Sequence, residues 1–434
     1  MLAFTFPGQG SQRPGTGRAW VDHPSWEVVG EASEVAGRDV AHLLLDAGAD
    51  ELALTANAQL ATFVSSLVVL DAIERVGLAP TLCAGHSLGE YTALVASGVL
   101  GFDDAVHLVV ERGEAMHHAS LDCPGTMLAL IGITDDAAEA ACERAEGEAW
   151  VANYNAPGQV VIAGEAGALE RAGIFAKEMG ARKVLPIPVS GAFHTTLMAA
   201  ARPRLRKALA SARFLPGEVP VVANVDAREH GDPAEWPSLL SAQLCSPVRW
   251  RQSLGTLAEL GATCVVEVGP GGVLTGLVRR VLPDVHALAV SSPDSIDSLV
   301  DAVAGGGPWH SYAGLHQGEH LYASERVVVS PAAGVFKTRS DLQAPAPGAR
   351  IVQSGFGDSE SGFGGSTVEG PRRGGGEGAA PVEVFVGDVV GMVGDIEVRT
   401  PFEGHLVGYM AHCGERVVAG QPLAWLRVGN PSTH

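Results

Sequence analysis

Residues 84–90 read AGHSLGE, which sets Ser87 between Gly85 and Gly89. A G-x-S-x-G run between a short apolar strand (82–85) and a helix-forming run (90–99) is the setting in which a serine can sit exposed on a sharp strand-to-helix turn. The glycines remove side chains where the chain doubles back. Ser87 can then project its hydroxyl, and the Leu88 amide at the helix start can donate to a developing oxyanion. An ordinary Gly-Ser turn without chemistry fits the same residues.

A serine hydroxyl needs a base to become a nucleophile. Among fifteen histidines, His194 in VSGAFHTTLM follows a strand end in a Gly-Ala loop from which an imidazole could reach across, although each histidine taken singly also fits a structural role. Arg112 adds separate information. The helix expected over 103–117 carries Ala105, Leu108, Val109 and Met116 on one apolar stripe, and Arg112 falls on it. A guanidinium there needs an anion, either a carboxylate of the chain or the free acid of a substrate held bidentately.

FPGQGSQ at residues 6–12 also follows an apolar strand, but no third glycine completes a dinucleotide fingerprint. A glycine-lined loop that offers a second oxyanion amide near Gln9 suits the elbow better.

The elements that must position these residues alternate. Short apolar strands (2–6, 82–85, 265–268) and amphipathic helices (59–76, 103–117) predict an α/β fold with a mainly parallel sheet through about residue 292. Within it, residues 125–189 read β-α-β-β-α-β, a ferredoxin-like insertion that divides the larger subdomain into 1–124 and 190–292. Residues 293–322 are expected to be a linker. Beyond it, VVVSPAAGVF (327–336) and IEVRTPFEGHL (396–406) repeat, each followed by a G-x-R-[IV]-V element, at 348–352 and 414–418. This predicts a small two-fold β-sandwich over 323–428. Residues 353–380, rich in Gly and Ser, interrupt it as an expected flexible segment.

Composition narrows the function classes. A formal net charge of −20 argues against sequence-independent nucleic-acid binding. No uncharged apolar run reaches membrane-spanning length, and the N-terminus lacks a basic region with a cleavage site. Six scattered cysteines without a C-x-x-C pair lead us to expect reduced thiols in the cytoplasm.

In order along the chain, FPGQGSQ, GHSLGEY, the arginine of VERGEAM, NYNAPGQVVIAG, the histidine of SGAFH, PVVANVDA, QLCSPVRW and EVGPGGVLTG resemble the malonyl-CoA:acyl-carrier-protein transacylase family over residues 1–292. The resemblance implies that Ser87 is acylated by malonyl-CoA, that His194 is base and then acid, that the Gln9 and Leu88 amides form the oxyanion hole, and that Arg112 holds the malonyl carboxylate. It further implies that the Gln243 backbone carbonyl, rather than an acid, orients His194, that Gln59, Asn155 and Asn224 lie near the substrate, and that Phe193 leaves no room for a 2-methyl branch. The partners implied are malonyl-CoA and a phosphopantetheinylated acyl carrier protein, with no metal and no cofactor. Both partners are anionic, so Arg182, Lys183, Arg204, Arg206, Lys207, Arg279 and Arg280 are the basic residues to examine as a docking surface. A serine hydrolase that clears acyl groups from carriers shares this elbow, and a catalytically silent scaffold is the third reading.

The C-terminal repeats resemble biotinyl/lipoyl-type domains. In those carriers a lysine on an exposed hairpin takes the cofactor; here the corresponding stretch is Gly391-Met392-Val393-Gly394, and Lys337 is the one lysine after residue 293. A non-lipoylated scaffold, or a module that docks a partner protein, is expected.

Overall fold

Strands whose residues are apolar at nearly every position need cover on both faces, and the computed structural model gives the first strands that cover. It describes residues 1–189, 191–304, 325–331, 334–339, 382–385, 387–394, 396–400, 404–409, 411, 413–414, 416–417 and 422–427. The chain forms two compact units that divide between His316 and Gln317.

In chain order the strands of the first unit are β1 (Leu2–Phe6), β2 (Leu82–Gly85), β3 (Thr126–Ile131), β4 (Ala149–Ala156), β5 (Gln159–Gly164), β6 (Lys183–Ile187), β7 (Val221–Val222), β8 (Glu229–His230), β9 (Cys264–Val268) and β10 (His286–Val290). Six of them build a sheet in the order β10-β9-β1-β2-β7-β8, parallel except for the β7-β8 hairpin. Helix Thr55–Arg75 runs through the main core, buried along most of its length, and packs against helix Phe102–Asp122. Among the described helices it is the one long and apolar enough to cross a membrane, yet 89% of its apolar window lies inside the unit.

The other four strands form an antiparallel sheet, order β4-β5-β3-β6, with helices Asp135–Arg144 and Ala166–Glu178 packed over a separate small core. β4 runs to Ala156, past the polar NYN that marks its end in the sequence, through register shifts between Val151 and Asn153 and between Tyr154 and Ala156. Its far end is tied to the larger sheet region by a Tyr154 amide bond to the Val248 carbonyl, 2.9 Å. That extension carries Asn153 and Asn155 to the active-site cleft.

One expected linker boundary differs. Residues Pro293–Ala304 form a helix, with Ile296 and Leu299 buried in the main core beside β10. The reason is the spacing of Ile296, Leu299 and Val303, which gives an apolar stripe at helical period.

The second unit contains β11 (Glu325–Val329), β12 (Gly334–Thr338), β13 (Val382–Val384), β14 (Val389–Val393), β15 (Ile396–Arg399), β16 (Gly404–Tyr409), β17 (Arg416–Val417) and β18 (Pro422–Arg427). They make two antiparallel sheets, β11-β18-β16-β13 and β15-β14-β12-β17, around one apolar core that includes Phe336, Val390 and Leu406. The first repeat supplies β11 to one sheet and β12 to the other; the second supplies β15 and β16, also one to each sheet. The G-x-R-[IV]-V copy at 348–352 and the segment 353–380 lie outside the described residues, while the copy at 414–418 contributes β17. Val393 is buried, whereas Lys337 is exposed in register with Met392.

Candidate active site

The turn after β2 is possible only because side chains are missing. A Cβ on Gly85 would stand 1.9 Å from the Gly89 backbone, one on Gly89 would stand 2.0 Å from the Phe6 carbonyl, and one on Gly8 would stand 2.5 Å from the His86 carbonyl. The elbow and the 6–12 loop are therefore pressed together at backbone distance. Ser87 sits at its apex with φ 53°, in the left-handed region that costs a residue bearing Cβ about 1–2 kcal/mol.

That conformation is held from below. The Asn224 side chain accepts from the Ser87 amide (2.7 Å) and donates to the Gly85 carbonyl (2.7 Å), and the Gln243 side chain donates to the Ser87 carbonyl (2.9 Å). Both backbone polar groups of the serine are thus occupied. The Leu88 and Gln9 amides, by contrast, have no acceptor among the described residues. Gln9 lines the same cleft as Ser87 and Leu88 follows Ser87 in the chain, so both amides are available donors.

Ser87 Oγ lies 2.7 Å from His194 Nε2, and His194 Nδ1 lies 2.9 Å from the Gln243 carbonyl oxygen. The carbonyl can only accept, so the proton sits on Nδ1 and Nε2 is left free to take the serine proton. Burial, with the Arg112 charge adding to it, pushes the imidazole down to about pKa 3. At neutral pH it is an unprotonated base.

Arg112 is 1% exposed. Its Nη1 donates to Gln59 Oε1 (2.6 Å), and its Nη2 donates to Gln243 Oε1 (2.9 Å) and to Ser87 Oγ (3.1 Å). The Tyr91 ring lies 5.4 Å from the guanidinium carbon. Every one of these hydrogen-bond partners is neutral, and among the described residues no carboxylate forms an ion pair with it. The guanidinium is fixed in orientation beside the nucleophile with no anion at contact range; the buried Glu90 carboxylate acts on its charge only through space.

A cleft of about 260 Å³ opens over Ser87, His194 and Arg112. Gln9, Asn155 and Phe193 line it. Gln59 and Asn224 do not: Gln59 holds Arg112 from behind and Asn224 staples the elbow, both fully buried. Leu88 brings its amide to the site and its side chain to the core.

Sequence reading missed two participants. His86 reaches across to Asn155 (2.9 Å) and packs edge-on against Trp250; burial holds it below its usual pKa. Glu90, 0% exposed, accepts from the Asn224 amide (2.8 Å) and from Gln243 Nε2, and burial raises it to about pKa 7. A charged residue in the first turn of the otherwise apolar helix Gly89–Ala96 was the available signal.

A turn-borne serine, a neutral imidazole and two free amides on a parallel sheet define a serine acyltransferase or hydrolase class of site. Residues 3–297 match the acyl transferase domain model, and the chain belongs to that family. It is 39% identical over 307 residues to the malonyl CoA-acyl carrier protein transacylase of Bacillus subtilis strain 168, covering 70% of this chain and 97% of that protein. With the same-named protein of Escherichia coli K12 the identity is 41% over 305 residues, covering 69% and 99%. Among solved structures, an acyl carrier protein S-malonyltransferase from Vibrio cholerae aligns with TM-score 0.66 at 40% identity, covering 69% of this chain and 99% of that one. A malonyl-transacylase in complex with a type II acyl-carrier protein aligns with TM-score 0.67 at 37% identity, covering 70% and 99%.

Proposed function

We propose that this chain transfers a malonyl group from malonyl-CoA to the phosphopantetheine thiol of an acyl carrier protein, through a malonyl ester on Ser87, for fatty-acid or polyketide synthesis. The observation that carries the malonyl assignment is Arg112, a buried guanidinium without an ionic partner 3.1 Å from Ser87 Oγ. A carboxylate at the end of a short acyl group would supply an anion at contact range.

In the first half-reaction His194 Nε2 takes the Ser87 proton as Oγ attacks the thioester carbon, and the Gln9 and Leu88 amides receive the oxyanion. The C–S bond then breaks and the proton passes from His194 to the departing CoA sulfur. In the second, the carrier thiol gives its proton to His194 and attacks the serine ester, and Ser87 recovers the proton as its C–O bond breaks. The Gln243 carbonyl stabilises the transient imidazolium. A bound malonyl carboxylate would also offset the Arg112 charge, the second of the causes that hold His194 low. The exchange changes no oxidation state and calls for no metal or redox cofactor.

Phe193 lines the cleft, which supports its role in excluding a 2-methyl branch. The anionic partners would meet exposed Arg182, Lys183, Arg206, Lys207, Arg279 and Arg280; Arg280 is tied to the cleft, donating to the side chain of Gln159 at its wall. Arg204 contributes less, since Glu111 already pairs with it at 2.7 and 3.1 Å. The strand order of the small sheet supports a ferredoxin-like subdomain, and the two-sheet second unit supports a biotinyl/lipoyl-like fold. With a buried Val393 at the hairpin where a modifiable lysine would stand, that unit fits a scaffold or docking role rather than a cofactor carrier. The free cysteines, including buried Cys83, Cys142 and Cys264, fit a reducing cytoplasmic setting.

The test is incubation with malonyl-CoA, then with a holo carrier protein, following each species by intact mass. Malonyl on the carrier in step with CoA release supports transfer. Free malonate with an unloaded carrier would establish a hydrolase instead.

A further inference from the structure

Three buried side chains behind Ser87 form a chain whose polarity is forced. Arg112 can only donate, so the oxygen of the Gln243 amide must face it, as it does at 2.9 Å. The Gln243 NH₂ group must then point the other way, where it meets the Ser87 carbonyl and Glu90 Oε2. Both of these must accept. The second Glu90 oxygen faces the Asn224 amide, which also can only donate. Each carboxylate oxygen of Glu90 is therefore opposed by a donor, an arrangement that the ionised form satisfies outright, whereas the protonated form accepts more weakly and brings an O–H that must find an acceptor of its own.

We infer that Glu90 is a positioning residue for malonyl transfer: as a buried carboxylate it fixes the orientation of the Gln243 side-chain amide and pins the backbone of Asn224, and through them supports Arg112 and the backbone of Ser87. This rests on the malonyl-transfer reading above. The Ser87 carbonyl is held by the Gln243 side chain, which also donates to Glu90, and the Ser87 amide by the side chain of Asn224, the residue whose backbone N–H donates to Glu90. Gln243 also presents the carbonyl that orients His194. Glu90 touches neither substrate nor reacting atoms and acts entirely through these neighbours.

The charged and titratable groups around it are Arg112 from helix Phe102–Asp122, Asp226 from the loop after β7 and the adjacent Tyr91. Arg112 and the two donated hydrogen bonds favour its ionised form, whereas burial, the largest influence, and Asp226 oppose it; the balance falls at about pKa 7. Ionisation of Glu90 thus falls near neutral pH, where His194 stays neutral.

Glu90→Gln keeps the shape and breaks the polarity. Whichever way the new amide turns, one NH₂ group faces an N–H donor, and flipping Gln243 only moves the conflict to Arg112. One buried donor is left unmet, so kcat/KM for malonyl-CoA should fall by about ten- to a hundredfold, with a smaller fall for acetyl-CoA, whose acyl group has no carboxylate for Arg112 to hold. In the wild type the malonyl-to-acetyl preference should decline as pH falls through 7, and in Glu90→Gln it should be flat with pH. Wild type and Glu90→Gln are to be compared for adduct formation from both donors between pH 5.5 and 8.5, with circular dichroism to verify folding.

A folded Glu90→Gln with unchanged malonyl preference overturns the inference, as do equal losses for both donors. If Glu90→Gln does not fold, the wild-type profile decides: a malonyl preference constant across pH 7 overturns it. Failure of the transfer reading itself would look different, since the wild type would then form no malonyl adduct at any pH.

Discussion

Replacing Arg112 with alanine separates a substrate anchor from a structural arginine, because its two kinds of contact predict different outcomes. The loss removes donors from Gln59 Oε1 and Gln243 Oε1 and one contact to Ser87 Oγ. Those losses weaken the framework of the nucleophile and burden every acyl donor alike. The carboxylate contribution is specific to malonyl. A charge-assisted hydrogen bond contributes about 1.5–3 kcal/mol, and truncating one partner of a buried charge pair costs about 2–5 kcal/mol. A guanidinium that also keeps its glutamine partners offers the substrate one or two such bonds, so about 2–4 kcal/mol is the reasonable share. That converts to about 30- to 1000-fold in the ratio of kcat/KM for malonyl-CoA to that for acetyl-CoA. The assay is rapid-quench measurement of acyl-enzyme from each donor, and the ratio cancels the framework losses common to both. A ratio unchanged within threefold would refute the anchor and return Arg112 to a structural role.

Three further outcomes follow from the geometry. Gly85→Ala should lower the melting temperature and abolish acylation, since its Cβ would overlap the Gly89 backbone at 1.9 Å; normal melting and activity would mean that the elbow is looser than described. Phe193→Ala should raise acylation by methylmalonyl-CoA relative to malonyl-CoA by about tenfold or more, read in a mixed-donor mass assay, and no change would remove Phe193 from selectivity. His194 is held down to about 3, so between there and 6.5 the unfolded chain binds a proton that the native site refuses; its contribution lowers stability as pH falls through that window. His194→Gln should therefore lose less melting temperature than the wild type between pH 7.5 and 5, and equal slopes would contradict the buried neutral imidazole.

What could be read from the sequence was what local sterics dictate. Gly85 and Gly89 bracket Ser87 because two backbones approach within side-chain distance, and that need is written in adjacent residues. The β-α-β-β-α-β order of 125–189 was legible for a similar reason, since each strand and helix buries its own apolar face. The polar framework was not. Glu90 meets Asn224 and Gln243 across 134 and 153 residues of chain, and no local pattern foretells that a buried carboxylate will find two donors there. Asn224 and Gln59 were expected at the substrate and instead support the residues that face it, a distinction between neighbouring layers that periodicity does not carry. Residues 293–304 passed for a linker because Ser and Asp dilute their stripe, and burial of Ile296 and Leu299 against the main core is what makes them a helix.

Site-resolved mass spectrometry of the enzyme, quenched with acid after brief exposure to malonyl-CoA, shows whether Ser87 carries malonyl as an ester. A single malonyl adduct is expected on the peptide containing Ser87, absent in Ser87→Ala and discharged by a holo carrier protein. An adduct that persists in Ser87→Ala, or its absence from the wild type, would contradict the Ser87 ester.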